Sequence, residues 1–154
     1  MNNKIRPLLK LTNSIYRCTQ AYIDKKLEKF NLTIGTYPYL FELNKNEGIN
    51  QNEISKELNV DKAMSARTVK KLIELGYIRK EENKEDIRAY KLYITDKAKS
   101  ILPEITKILD DFTDSLVQGN DRETIEASLD FLENVLENGK RHRKKCCERM
   151  KNIE

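Results

Sequence analysis

The sequence predicts a mainly helical chain with one small β-hairpin, an α+β arrangement. Three observations carry that expectation. Apolar residues recur at three- and four-residue steps along residues 4–30 and 96–138, the spacing of amphipathic helices. Between these flanks lie two shorter segments with helix-start signals, INQNEISKELNV and DKAMSARTVKKLIELG. A pair of alternating stretches, YIRK and AYKLYI, then brackets the polar run EENKED. Two short helices across a tight turn, followed by a hairpin, make a winged helix-turn-helix, here with a long helix at each end.

The first helix is expected over about 4–30, with Ile5, Leu8, Leu9, Ile15, Tyr16, Tyr22, Ile23 and Leu27 on its apolar side. Pro7 is tolerated there because it falls near the first turn, whose N–H groups have no intrahelical partner to lose. The second helix, about 36–46, carries Tyr37, Leu40, Phe41 and Leu43 inward, with Pro38 in its first turn. Asn50 opens the third, and Glu53 three residues on completes a capping box. Asp61 caps the fourth, about 62–75, whose buried side is Ala66, Val69, Leu72 and Ile73, with Ser65 and Thr68 near the boundary. Gly76 stops it. In the second strand Tyr90, Leu92 and Ile94 share one face. Thr95 caps a fifth helix to about residue 117, which Pro103 is expected to kink or relieve of a hydrogen bond. Asn120 and Glu123 suggest a second capping box, opening a sixth helix to about Asn138-Gly139.

Composition narrows the function classes. Charged residues make up 35% and hydrophobic residues 38%, enough for a core. The net charge of +4 is unevenly placed. Residues 62–71 hold Lys62, Arg67, Lys70 and Lys71 without an acid, whereas residues 110–137 hold nine acids against Arg122 alone. One face thus suits a polyanion and another repels it. The single His excludes most His-based catalytic and metal sites, and neither a Walker loop nor a strand-linked GxGxxG is present. No catalytic, metal or cofactor residue is therefore expected. No stretch reaches the ~20 apolar residues of a membrane span, and the N-terminus lacks a signal-peptide core, so a cytoplasmic protein without a membrane partner is expected. Three cysteines suit reduced thiols better than a disulfide framework. His142, Cys146 and Cys147 make a poor tetrahedral set. They belong to a basic tail expected to be mobile.

Double-stranded DNA is the partner this pattern fits. A helix enters the major groove by its N-terminal, exposed side. Lys62, Ala63, Met64 and Ser65 are the nearest candidates. Arg67 suits a guanine or a phosphate, Thr68 sits at the edge, and Lys70 and Lys71 suit phosphates. A solvated cationic face without a partner is the plainer alternative. On the hairpin, Arg88 is the candidate for a narrow minor groove, oriented by Asp86 two residues before it. Arg79 and Lys84 are weaker candidates. The apolar stripes of the long flanking helices exceed what one small lobe can cover, so a homodimer is expected. A two-fold dimer sets its recognition helices roughly 34 Å apart.

At this point the pattern resembles the MarR family of winged-helix regulators over nearly the whole chain. The most specific part runs from Asp61 to Ser100. DKAMSARTVKKLIELG leads there into YIRK, then DIR, then LYITDKAKSILPEI. The family's Asp-x-Arg wing signature is matched by Asp86 and Arg88, and the start of the following helix by Ile94, Thr95 and Ala98. The resemblance implies a single domain over 1–154. Its parts are a DNA-binding lobe over about 31–94, dimerisation helices over about 4–30 and 96–138, and a basic tail over 139–154 outside the shared pattern. It implies a dimeric transcription regulator on a palindromic operator, more often a repressor, released by a small aromatic effector. Tyr16, Tyr22, Tyr37, Tyr39 and Phe41 are aromatics available to line such a crevice, although aromatics at helical spacing are also ordinary core. One family branch senses peroxides through a first-helix cysteine. Cys18 lies about two turns beyond that position, which leaves a thiol-responsive regulator as an alternative reading. A winged-helix protein scaffold that no longer binds DNA is another.

Overall fold

The computed structural model describes residues 6–82 and 90–151, with side chains as far as Lys144. Helix α1 spans Pro7–Leu27 and gives way to a 3-10 turn, Glu28–Phe30. Helices α2 (Tyr37–Lys45), α3 (Gln51–Glu57) and α4 (Lys62–Glu74) follow. Strands β1 (Ile78–Glu82) and β2 (Tyr90–Ile94) pair antiparallel, from Ile78 opposite Ile94 to Glu82 opposite Tyr90. Helices α5 (Asp96–Val117) and α6 (Arg122–Lys151) complete the chain. The mainly helical class and the hairpin are as the sequence predicts.

The chain divides into two compact units, Met1–Asp111 and Phe112–Glu154. The first holds every apolar side chain that is buried among the described residues. Ile23 and Leu27 of α1, Leu40 and Leu43 of α2, Ile54 of α3 and Val69 and Leu72 of α4 are buried, as are Leu92 and Ile94 of β2 and Ala98 and Ile105 of α5. Within this unit Lys99 of α5 pairs with Glu47 at 2.6 Å, and Lys29 pairs with Glu104. The second unit has no buried apolar side chain of its own among the described residues. Leu116, Leu129, Phe131, Leu132 and Leu136 are all exposed.

Several local expectations need correction. Glu81 and Glu82 belong to β1 rather than to the turn after it. Helix α5 continues across the exposed Pro103, where the expected hydrogen bond is lost because proline carries no N–H. Asp121, not Asn120, caps α6, by accepting the Thr124 N–H at 2.8 Å. The Asn120 amide instead donates to the Val117 carbonyl, closing α5. Most consequentially, α6 does not end at Gly139 but continues to Lys151. The segment expected as a mobile basic tail is helical. One glycine costs a helix only about 1 kcal/mol, and its Glu, Lys and Arg neighbours are good helix formers. Among the described residues, no helix is long and apolar enough to cross a membrane.

Candidate nucleic-acid interface

The helix-turn-helix is fixed at each end by side chains that satisfy orphan backbone groups. The Asn50 side chain accepts the N–H groups of Asn52 and Glu53 at 2.9 and 3.0 Å, and Glu53 returns by accepting the Asn50 N–H at 2.7 Å. That is the predicted capping box. Helix α3 then closes through Asn59, held at φ 53°. The Asn59 N–H donates to Lys56 and the Val60 N–H to Ser55, the paired bonds of a Schellman turn. Asn is one of the few residues besides glycine that tolerates this left-handed conformation. Two residues later Asp61 accepts the N–H groups of Ala63 and Met64 at 2.8 and 3.1 Å, starting α4.

Helix α4 buries Ser65, Val69 and Leu72 and presents Lys62, Ala63, Met64, Arg67, Lys70 and Lys71 to solvent. Thr68 lies half-buried between the two sides. Met64, 45% exposed, and Ala63 offer methyl surface beside the cations. Lys70 approaches Glu74 at 4.0 Å, an exposed contact of little energetic weight. No ion pair holds Arg67 among the described residues.

Ser65 is the correction on this helix. Its exposure is 0%, and its hydroxyl lacks a hydrogen-bond partner among the described residues. It lies on the buried side of α4, with Val69 and Leu72, and not among the exposed residues of the helix. Its burial leaves a hydroxyl desolvated without compensation. Ser65→Ala is therefore expected to leave DNA affinity unchanged and to hold or raise the unfolding midpoint. A loss of affinity at constant stability would restore Ser65 to the contact surface.

The far end of α4 is held from two directions. Gly76, at φ 75°, donates to Ile73, and the Tyr77 N–H donates to Leu72, forming a second Schellman turn. The Lys97 ammonium, from the first turn of α5, donates to the Leu75 carbonyl at 2.7 Å and lies 4.7 Å from the Tyr77 ring centre. A cation here meets the negative end of the helix dipole. The Tyr77 hydroxyl donates to the Phe30 carbonyl at 3.0 Å, and burial holds that hydroxyl above the usual phenol range. Thr95, besides capping α5, donates to Gly76 at 2.8 Å. The 3-10 turn after α1 and the start of α5 are thus both tied to the C-terminal end of α4. Gly76→Ala forces a Cβ into the left-handed region and is expected to cost about 1 kcal/mol or more, read as a lower urea midpoint. An unchanged midpoint would contradict the strain argument.

On the hairpin, Ile78, Leu92 and Ile94 are buried, whereas Tyr90 is exposed. The Lys80 ammonium sits 3.4 Å from the Tyr90 ring centre. Arg79 lies 4.5 Å from that of Tyr93 and pairs with Glu81, so its charge is already engaged. The hairpin base is tied to the α2–α3 turn. Gly48, at φ 83°, donates to the Leu92 carbonyl at 2.9 Å, and the Leu92 N–H donates to Ile49 at 3.0 Å. Lys84, Asp86 and Arg88, the other hairpin candidates, lie outside the described residues.

Between α4 and the hairpin runs a cleft of about 790 Å³ rimmed by Asn50, Gln51, Asn52, Lys70, Lys80 and Tyr90 over a floor of Val69 and Leu92. Sequence reading missed Lys80 and Asn52 as neighbours of α4. Strand alternation places Lys80 on the face of Ile78 and opposite Leu92, and only the tertiary fold brings that face and Lys70 to one cleft.

The aromatic candidates divide. Tyr37 and Phe41 of α2 meet edge to face at 5.9 Å, and burial raises the Tyr37 hydroxyl. Tyr39 is buried in the core. On α1, Tyr22 lies under Lys26 at 5.5 Å, and Tyr16 is exposed. Cys18 is an exposed free thiol, and His142 is exposed on α6. The side chains of Cys146 and Cys147 lie outside the described residues.

Comparison with known proteins agrees with this architecture. A family model described as MarR family matches residues 30–89. The HTH-type transcriptional regulator BilQ of Clostridioides difficile (strain CD3) is 42% identical over 89 residues, 58% of this chain and 60% of that protein. The match thus spans less than two thirds of that relative. An uncharacterized HTH-type transcriptional regulator of Bacillus subtilis (strain 168), YybA, is 29% identical over 125 residues, 79% of this chain and 83% of that one. Among solved structures, a MarR transcriptional regulator from Methanosarcina mazei Go1 is 32% identical, with a TM-score of 0.78 over 86% of this chain and 95% of its own.

Proposed function

This chain belongs to the MarR family of winged-helix transcriptional regulators, and from that premise we propose that it is a homodimeric, sequence-specific DNA-binding protein that represses transcription by occupying a palindromic operator. It acts in the cytoplasm, by binding and not by catalysis. The observation that carries the reading is the outer face of α4. Lys62, Arg67, Lys70 and Lys71 are exposed there together, beside the apolar Ala63 and Met64, on a helix anchored at both ends. Ala63, Met64 and Arg67 face base edges. Lys62, Lys70 and Lys71 face phosphates, with Thr68 at the margin. Arg88, oriented by Asp86, serves the minor groove.

The exposed leucines of α1, α5 and α6 support the dimer. Leu9 is 73% exposed, and Ile15 and Leu116 are more than half exposed. Apolar exposure on this scale marks an interaction surface. A small aromatic effector binding beside Tyr37 and Phe41 is the proposed release signal. It would act by favouring a recognition-helix spacing that misses the operator.

The test is selection of fragments from a random DNA pool by the purified protein, followed by titration of selected and random DNA over a salt series. Specific affinity should exceed random affinity and fall steeply with salt, as phosphate contacts release counterions. Equal affinities for the two, or indifference to salt, defeat the reading. Exposed Cys18 sustains the thiol-responsive alternative. If Cys18→Ser leaves the oxidant response of DNA binding unchanged, that alternative ends.

A further inference from the structure

Past the last turn of α4, three successive carbonyls are satisfied from the start of α5. The Lys97 ammonium donates to Leu75 at 2.7 Å, the Thr95 hydroxyl to Gly76 at 2.8 Å, and the Thr95 N–H to Tyr77 at 3.0 Å. Thr95 also caps its own helix through the Ala98 N–H. Lys97 has no such local duty. Its stem passes over Gly76, where an added Cβ would lie 3.9 Å from Lys97 Cδ and 3.8 Å from Nζ. Its ammonium stands 4.7 Å from the Tyr77 ring centre.

We propose that Lys97 is a positioning residue for DNA reading. It fixes the C-terminal end of α4 to the start of α5 and so sets the angle at which Ala63, Met64 and Arg67 meet base edges. This rests on the reading of α4 as the helix that enters the groove. The Asp61 cap leaves that angle free, because its partners, the N–H groups of Ala63 and Met64, belong to α4 and move with it. Val69 and Leu72 hold the helix by its buried side, and Lys97 adds the hold at its end. A lysine suits that place. It brings a positive charge to the negative end of the helix dipole, and its charge is also favoured over the face of an aromatic ring. The lever arm is long enough to matter. Arg67 precedes Leu75 by eight residues, about 12 Å along the axis. A tilt of about 5° at that anchor moves Arg67 by about 1 Å, more than the roughly 0.5 Å within which a working contact is held. Phosphate contacts from long lysine stems absorb such a shift, whereas a bidentate base contact does not.

Two substitutions test the role. Lys97→Met keeps an unbranched stem and removes the charge and the donors, and Lys97→Arg keeps both. Each full-length variant is titrated with DNA selected by the wild-type protein and with random DNA, over a salt series and well below its melting temperature. Lys97→Met should weaken binding to selected DNA about tenfold, with random affinity and salt slope unchanged. Lys97→Arg should recover most of the loss. Hydrogen exchange without DNA gives a second readout. In Lys97→Met the Gly76 and Tyr77 amides should exchange about tenfold faster while those of α2 keep their protection.

Unchanged affinity for selected DNA, or unchanged exchange at Gly76 and Tyr77, overturns the proposal. An equal loss on both kinds of DNA with the salt slope reduced by about one also overturns it, because Lys97 is then a phosphate contact. So does a failure of Lys97→Arg to recover, or faster exchange across α2 as well, the mark of general destabilisation. A wild-type protein that prefers no DNA sequence instead defeats the DNA-reading assignment of α4, and the exchange comparison then decides by itself whether Lys97 holds the helix end.

Discussion

Arg67→Ala is expected to weaken operator binding by about 1–3 kcal/mol, roughly five- to 150-fold, if the guanidinium makes a bidentate base contact. The expectation rests on what engages the competing cations. Arg79 is taken by Glu81 and the Tyr93 ring, whereas no ion pair holds Arg67 among the described residues. Arg67 is exposed on the second turn of α4, the helix that Asp61 caps. Titration by fluorescence anisotropy separates its two candidate roles. A base contact lowers operator affinity and leaves random DNA nearly untouched. A phosphate contact lowers both and reduces the salt slope by about one. Unchanged affinity for both kinds of DNA would remove Arg67 from the interface.

Leu72→Ala should cost about 2–5 kcal/mol of folding free energy, the range for truncating a fully buried leucine. Leu72 is 0% exposed, on the side of α4 opposite the cations. Its carbonyl also accepts the Tyr77 N–H that closes the helix. The cost is a large fraction of the ~5–15 kcal/mol that holds an ordinary domain together. A fall in the urea midpoint at constant slope is the readout, with DNA affinity falling only as the folded fraction falls. A loss below about 1 kcal/mol would mean that the site collapses around the smaller side chain.

Helix caps were legible because they need a particular side chain at a particular spacing. Asn50 with Glu53, Asp61 and Thr95 all stand where their types predict. The cationic face of α4 was legible for the same local reason. Ser65 was not. A hydroxyl small enough for either side of a helix takes its side from what packs against that helix, and the packing is a tertiary fact. The Lys97 contact with Leu75 spans 22 residues of sequence, and nothing in the local pattern of either partner announces it. Gly139 misled for the opposite reason. A strong local stop signal was outvoted by helix formers on both sides. The wing pair Asp86 and Arg88 was read from a motif, and it falls outside the described residues.

Unit two, with its apolar side chains exposed, has a thermodynamic consequence for the proposed dimer. If those side chains are covered only by association, folding and assembly draw on the same free energy. The melting temperature must then climb with the amount of protein in the tube. The same linkage reaches the gene. When dimers are the minor species, operator occupancy grows with the square of the chain concentration, so a modest change in synthesis rate becomes a sharper change in transcription.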